Sequence, residues 1–429
     1  VGHACEFEVS SAMHLCPEIV REAELTPGDL VENAVRHTRA LGSLIHRSYH
    51  WEERTRNGVL GDAAAAASAA HGREMTERGL KILCEFLEDF MTLREEIHEQ
   101  PEVLEGLVGT TGPAAAEAAA LLMRSDVAHV MIAARGTSDN AARYAKYTWG
   151  AIGGLPVALA APSLYGGYAS PPNLRSAAIV GISQSGQSPD LVAVLEEGKR
   201  QQRPTIAITN EPTSPLADLA DVVVRLRAGN ERSIAATKTY TGTLFAVAAI
   251  AAAMRHKSAG RIDLSDVPGA VSGVLDLEPI ILAAARDLGQ IRDCVVLGRG
   301  FNYSTAFEWA LKLQEMAYVL AHPFSIADFA HGPFAVLEQD FPVLAVAMRG
   351  PMFDDTVAML DRVRRERSTR LVTITDDPGM ALEHVAIPQI AEWLSPIPAI
   401  VAAQLFTIEV AEVRGVDPQQ PRGLSLSLI

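Results

Sequence analysis

The sequence predicts an α/β protein with two tandem, similar halves, each a doubly wound parallel sheet in an α/β/α sandwich, and an N-terminal helical extension. Two observations lead to this fold class. Short, continuous apolar segments alternate with helical segments, which is typical of βαβ units and of parallel sheets buried on both faces. The same order of strands, polar loops and helices also occurs twice along the chain. Right-handed crossovers then place helices on both faces of each sheet.

The repeat is visible in three pairs of predicted strands. The pairs are 130–134 with 295–298, 178–182 with 343–348, and 205–210 with 371–376. Gly136 and Gly300, which follow the first pair, lie 164 residues apart. Gly186 and Gly350, after the second pair, keep that spacing, and the third pair is displaced by 166 residues. Helices are predicted at 141–149, 191–200 and 305–320.

The two halves are predicted at residues 95–265 and 275–429, with Pro268 and Gly269 near the join. Residues 1–94 match neither half and form the predicted extension, which contains helical segments and an alanine-rich stretch. This extension has two interpretations. It is either a chain start placed too early or a helical arm that packs on the first domain or on a partner subunit.

Bulk composition restricts the classes of partner. A net charge of −15 argues against nucleic acid, because an acidic surface repels a phosphate backbone, but it allows one sugar phosphate in a local pocket. Four scattered cysteines do not suggest a disulfide framework, which favours the reducing cytoplasm. Neither a leader nor an apolar run near the ~18 residues of a membrane span is expected. The apolar segment 244–254 is predicted to be a buried helix.

No cofactor and no metal are predicted. His3, Cys5, His14 and Cys16 are potential metal ligands, but their spacing does not match the common zinc patterns. Neither a P-loop nor a Gly-x-Gly-x-x-Gly follows a predicted strand, so nucleotide binding is not expected.

Polar loops follow the first two predicted strands, where ligands of open parallel sheets bind. The loop 183–190 contains three serines, two glutamines and Gly186 just before a predicted helix, whose first N–H groups attract anions. The loop 136–140, which begins Gly-Thr-Ser, has the same character. These features fit a phosphate site, and they fit equally well a turn with a helix N-cap.

Five ordered motifs carry a family resemblance. They are residues 136–138, 183–186, 231–239, 310–315 and 331–333. In this order they resemble the SIS (sugar isomerase) family, in particular the isomerase half of glucosamine-6-phosphate synthase and the SIS-type glucosamine-6-phosphate deaminases. The resemblance covers about residues 95–429, and it is more specific for the family than for one reaction within it.

The resemblance implies a set of binding residues for a small-molecule sugar phosphate. The phosphate would be bound by Ser183, Gln184, Ser185 and Ser188. Thr137 and Ser138 would contact the sugar, and Ile234 and Ala235 would complete the binding surface.

The resemblance also implies three catalytic residues. Glu315 would move the proton between C1 and C2, and Lys312, one helical turn earlier, would support the sugar hydroxyls and the enediolate. His331 would help to open the ring from the neighbouring subunit, which implies a homodimer. The residue types suit an aldose–ketose interconversion, which needs a proton carrier and a stabilising positive group. Without the resemblance, Glu315 and Lys312 read as a surface pair at i,i+3 and His331 as a loop histidine.

Two departures from the family bear on the reaction. The segment before residue 95 is too short for a glutaminase domain, so glutamine-dependent amination is not expected. Leu426 stands where the family has a tail lysine, and a leucine cannot form a Schiff base. The leading hypothesis is therefore an isomerase or deaminase that converts glucosamine 6-phosphate to fructose 6-phosphate and ammonia. The alternatives are an aminotransferase-like isomerase half without a glutaminase domain and a non-catalytic sugar-phosphate sensor.

Overall fold

The computed structural model describes residues 92–255, 263–382, 384–419 and 421–423, together with positions 70, 73, 76 and 77. The chain divides into two compact units, Val1–Met91 and Thr92–Ile429, and the second is described below. The predictions for most of residues 1–91, and the one for Leu426, lie outside the described residues.

The first half contains a five-stranded sheet in which all the strands are parallel. Its strands are β1 His129–Ala133, β2 Val157–Leu159, β3 Ala177–Ile182, β4 Thr205–Thr209 and β5 Val222–Arg225. Their spatial order is β2-β1-β3-β4-β5. The three strands predicted in this half are confirmed as β1, β3 and β4, whereas β2 and β5 were not predicted. Both of the missed strands are short edge strands.

The second half repeats this sheet. Its strands are β6 Asp293–Gly298, β7 Leu320–Ser325, β8 Pro342–Ala347, β9 Arg370–Thr375 and β10 His384–Ala386. Their order, β10-β9-β8-β6-β7, equals that of the first sheet when each half is counted from its own first strand. The internal repeat is thus a repeat of topology.

Helices connect the strands and cover both sheets. They are α1 Leu93–His98, α2 Gln100–Thr110, α3 Gly112–Leu122, α4 Gly136–Gly153, α5 Pro189–Arg200, α6 Pro215–Asp218, α7 Lys238–Met254, α8 Asp266–Leu275, α9 Glu278–Leu288, α10 Tyr303–Ala317, α11 Ile326–Phe329, α12 Phe353–Arg367 and α13 Pro396–Val413. Single 3₁₀ turns span Pro162–Leu164, Gly300–Asn302, Pro333–Val336 and Glu392–Leu394. Proline lies in the first turn of α2, α3, α5 and α13, where the missing N–H breaks no helical hydrogen bond.

The helix predicted over 305–320 is too long at its end. Tyr318 adopts a left-handed conformation with φ of 52°, which closes α10 at Ala317. Leu320 then pairs with Asp293 as the first residue of β7. The pairing of β7 with β6 therefore takes Leu320, which the apolar pattern had assigned to the helix.

Two apolar helices form much of the core. The segment 244–254 lies in α7 and is mostly buried, as predicted. The expectation that no apolar run is long enough to span a membrane is wrong for α13, which has 18 residues and a mean hydropathy of 1.4. Because 89% of that helix is buried inside the protein, it is a core helix. It packs against α10 through Trp309 and Phe406, whose ring centroids are 5.3 Å apart.

Candidate active site

A cavity of about 630 Å³ opens at the carboxyl ends of β1 and β3. In the order β2-β1-β3-β4-β5, the chain turns to opposite sides of the sheet after β1 and after β3, and such switch points form the ligand crevice of open parallel sheets. Nine of the predicted site residues line the cavity together. They are Thr137, Ser138, Ser183, Gln184, Ser185, Ser188, Ile234, Lys312 and Glu315.

The loop between β3 and α5 has the geometry of an anion cradle. Gly186 has φ of +62°, and a side chain there would collide with Ser214, so the turn requires glycine. The Ser183 hydroxyl oxygen accepts a hydrogen bond from the Gly186 N–H at 3.1 Å, which fixes the turn. Ser188 is the N-cap of α5, but its side chain makes no capping hydrogen bond. Its hydroxyl is therefore available to a ligand at the positive end of the helix.

The first turns of α4 connect the first half to α10. Thr137 donates from Oγ1 to Glu308 Oε1 at 3.0 Å, and Asn140 donates from Nδ2 to Glu308 Oε2 at 2.8 Å. The hydroxyl hydrogen of Thr137 is thus engaged by Glu308, which leaves the Thr137 oxygen as an acceptor for a donor group in the cavity.

Three charged side chains lie in a row on α10. Lys312 is 1% exposed, and its Nζ lies 2.8 Å from Glu315 Oε2 and 3.3 Å from Glu308 Oε1. Glu308 is fully buried, whereas the Glu315 side chain is 27% exposed. Glu308 was missed from the sequence, although its i,i+4 spacing to Lys312 in a predicted helix was an available signal.

The charges of this row depend on one another. Burial raises the pKa of Glu308, and the ammonium of Lys312 opposes that shift only in part. Burial alone would lower the pKa of Lys312, but the carboxylates of Glu308 and Glu315 outweigh burial and raise that pKa to about 12. Lys312 is therefore a cation at neutral pH. It can stabilise negative charge in the cavity, but it cannot act as a base.

Two predicted residues lie apart from this group. Ala235 is buried with 1% exposure and is not part of the cavity wall. His331 follows α11 in the second half, is exposed and does not line the cavity.

The loop before α7, which contributes Ile234 to the cavity wall, is held by two buried carboxylates. Glu231 accepts from the Thr237 N–H at 2.7 Å and from the Thr239 N–H at 3.2 Å. Glu96 of α1 accepts from the N–H groups of the two residues that follow Glu231, at 2.7 and 3.1 Å. The role of Glu96 was not predicted, because a sequence separation of 136 positions hides its contact with the loop.

In the second half, a side chain of that half occupies the corresponding switch point. The carboxylate of Glu392 lies against both Gly300 and Gly350, the counterparts of Gly136 and Gly186. The segment that contains Glu392 joins β10 to α13, as the Ile234 loop joins β5 to α7. The two halves therefore differ at the carboxyl ends of their strands.

Among the described residues, no cluster of His, Cys, Asp and Glu could hold a metal ion.

Comparison with known proteins places this architecture in a family. The SIS domain model matches residues 121–253 and 288–411, one match on each sheet. The chain belongs to the SIS domain family. A separate model, creatinine amidohydrolase, matches residues 1–87, a similarity that was not recognised from the sequence.

Individual relatives agree with the family. The chain is 35% identical over 355 residues to the glutamine–fructose-6-phosphate aminotransferase (isomerizing) of Gloeobacter violaceus, covering 78% of this chain and 58% of that relative. The C-terminal domain of glucosamine-fructose-6-phosphate aminotransferase from Francisella tularensis superposes with a TM-score of 0.70 at 26% identity, covering 78% of this chain and 99% of that one. Glucosamine-6-phosphate deaminase from Thermotoga maritima, at 21% identity, has a TM-score of 0.60 with coverage of 77% and 97%, and shares the fold.

Proposed function

We propose that this protein is a sugar-phosphate isomerase whose cavity binds the phosphate in the Ser183–Ser188 loop and transfers a proton with Glu315. The observation that carries the proposal is that the Lys312–Glu315 pair and the Ser183–Ser188 loop line the same cavity. A phosphate anchored at one end of the cavity leaves the carbon atoms of an open-chain sugar to face the charged pair. The relatives named for phosphosugar chemistry support this class of reaction.

The proposed proton transfer assigns one task to each charged group. Glu315 removes the proton from C2 of an open-chain aldose and returns it to C1, so that the carbonyl moves from C1 to C2. The ammonium of Lys312 stabilises the negative charge that develops on the enediolate oxygens. Glu308 keeps Lys312 in place and charged.

The finer proposal is that the substrate is glucosamine 6-phosphate. In that case the C2–H proton moves to C1 and the C2 amine becomes an imine of the ketose. Water then adds to C2, ammonia leaves, and the products are fructose 6-phosphate and ammonia. This version needs no co-substrate other than water, which suits a cavity built for one sugar phosphate.

We extend the proposal to a cytoplasmic homodimer. The exposed position of His331 supports this extension, because a ring-opening histidine outside its own cavity can act only on a neighbouring subunit. A non-catalytic sensor would use the same loops without turnover, and the assay below distinguishes it.

The test is turnover by the purified full chain. With glucosamine 6-phosphate deuterated at C2, we expect ammonia and fructose 6-phosphate, with label transferred to C1 or lost to solvent, as followed by NMR. A ligand at 100 times its dissociation constant should add about 2.7 kcal/mol of stability in a thermal-shift assay. A stabilising sugar phosphate without any turnover, across a panel of hexose and hexosamine phosphates, would contradict the enzyme and favour the sensor.

A further inference from the structure

Arg135 lies at the cavity rim in a position that the family motifs leave unassigned. It is the N-cap of α4, with an extended backbone and no capping hydrogen bond from its side chain. Its guanidinium donates from Nε and Nη2 to Asp190 Oδ2 at 2.7 and 2.5 Å, and both residues line the cavity. The Arg135 side chain is 60% exposed. Within the described part of the chain, its Nη1 makes no hydrogen bond.

The charge balance of the cavity wall explains why this arginine matters. Four residues with formal charges line the cavity: Arg135, Asp190, Lys312 and Glu315. Lys312 is already shared between Glu308 and Glu315, so it has little attraction left for a distant phosphate. Asp190 stands in the first turn of α5, beside the anion cradle, where an unpaired carboxylate would repel a phosphate.

The repeat provides a counterpart that lacks these surroundings. Arg299 has the same extended backbone at the same place in the second half, and its Nη1 lies 3.4 Å from Asp355 Oδ2 in the first turn of α12. There the switch point is occupied by Glu392. The same ion pair thus occurs once beside an open cavity and once beside a filled one.

We propose that Arg135 is a binding residue for the phosphate of the ligand, held at the rim by Asp190 and donating from Nη1. The guanidinium supplies the charge that a phosphate monoester of about −1.5 to −2 requires at neutral pH. A cationic donor beside the serine loop also selects phosphate over an uncharged hydroxymethyl group. This inference rests on the proposed function in one respect, namely that the ligand carries a phosphate.

The experiment compares the dissociation constants of matched variants by titration calorimetry. The probes are glucosamine 6-phosphate, fructose 6-phosphate and unphosphorylated glucosamine. Arg135→Ala should weaken the binding of both phosphates by about tenfold or more, the worth of a hydrogen bond between charged groups. Arg299→Ala should leave binding within about twofold of wild type. Arg135→Lys should recover part of the loss. Thermal unfolding should be nearly unchanged in all three, because exposed ion pairs contribute little to stability.

A double variant separates direct binding from charge screening. If Arg135 donates to the phosphate, Arg135→Ala with Asp190→Asn should still bind the phosphates more weakly than wild type, because removal of the Asp190 charge does not replace the lost donor. Recovery of wild-type affinity in the double variant would mean that Arg135 only neutralises Asp190, and it would overturn the inference. Equal affinities of Arg135→Ala and Arg299→Ala would overturn it as well. If the wild-type protein bound neither phosphate, the proposed function would fail together with the inference.

Discussion

The two carboxylates beside Lys312 differ in ways that suit them to different tasks. Glu308 receives hydrogen bonds from Thr137 and Asn140 and is buried, so its oxygens have no access to a substrate carbon. Glu315 is partly exposed and lines the cavity. This difference in access supports the proposed assignment of the proton transfer to Glu315 and of charge support to Glu308.

Replacing Glu315 tests the proton transfer. Glu315→Gln keeps the size of the side chain and its contact with Lys312 but removes its basicity. We expect kcat to fall by about 10²–10⁴-fold, the usual contribution of a general base, while the dissociation constant of the substrate changes little. Steady-state kinetics together with calorimetry measure both quantities. A rate within about threefold of wild type would reduce Glu315 to a carboxylate on the helix surface.

Ser185→Ala is the matched contrast in the same cavity. The Ser185 oxygen accepts from the Gln187 N–H at 3.3 Å, so its hydroxyl hydrogen can be donated to a phosphate. Its loss should weaken binding by about 1.5–3 kcal/mol, the range for hydrogen bonds to charged groups, and leave kcat near wild type. If both variants changed the same parameter, the division of the cavity into a binding loop and a reacting pair would be wrong.

The loop before α7 shows how an element of the fold forms part of the cavity wall. Its backbone N–H groups are satisfied by Glu231 from within the loop and by Glu96 from α1, so α1 contributes to the site without touching the cavity. Lys238, at the start of α7, lies 3.5 Å from Glu96 and 2.6 Å from Glu99. A buried carboxylate in this position is stabilising only while its donors are present.

The titration of Glu231 gives this element a pH dependence. Burial raises the pKa of Glu231 above its ordinary value of 4.5, and hydrogen bonds from Thr239 and Thr237 oppose burial only in part. A raised pKa in the folded state means that the contribution to stability is complete below the unfolded pKa and is lost as pH rises through the folded pKa. Glu231→Gln does not titrate. The melting temperature of Glu231→Gln minus that of wild type should therefore increase as pH rises from about 4 to 8.

The control for this prediction is a carboxylate with the opposite shift. The hydrogen bond from Arg200 is the main cause that lowers the pKa of Glu197, so Glu197 contributes stability above its unfolded pKa and loses it as pH falls. The melting temperature of Glu197→Gln minus wild type should thus decrease as pH rises. Equal slopes for the two variants would contradict the assignment of the raised pKa to Glu231.

The elements that the sequence predicted well are those with a strong local signal. β1 and β3 are continuous apolar runs that lead into glycine turns, and β4 is a short run of β-branched and apolar residues. β2 was missed because three residues carry too little pattern to separate a strand from a loop. α13 was misjudged because its apolar residues are interrupted by a glutamine and a glutamate that are buried in the fold.

At the scale of the whole molecule, the site depends on contacts between distant segments that no local pattern encodes. Thr137 was predicted from its loop, but its bond to Glu308 joins residues 171 positions apart. The filling of the second switch point by Glu392 was equally invisible, because the repeat in the sequence suggested two equivalent loops. Among the described residues, one copy of the duplicated fold has an open switch point and the other a filled one, which explains why two similar sheets do not form two equivalent sites.

The placement of His331 leads to a prediction about assembly. His331 belongs to the second half and is exposed outside the cavity, whereas Glu315 and Lys312 lie on α10 and share one wall. If the histidine of one subunit serves the cavity of the next, Glu315→Gln and His331→Ala damage different parts of the site. In a mixed dimer, one of the two sites then receives both intact residues. A purified, two-fold symmetric mixed dimer should therefore have about half of the wild-type rate.

Co-expression of the two variants with different affinity tags, followed by tandem purification of the mixed dimer, measures this directly. The matched control pairs Glu315→Gln with Lys312→Met. These two residues lie on the same helix of the same chain, so every site of that mixed dimer keeps one lesion and no activity should return. Recovery in the His331 pair but not in the Lys312 pair would assign His331 to the neighbouring cavity. If neither pair exceeds the sum of its parents, or if the purified chain is a monomer with full activity, the shared site is wrong and ring opening must be assigned to a residue of the same chain.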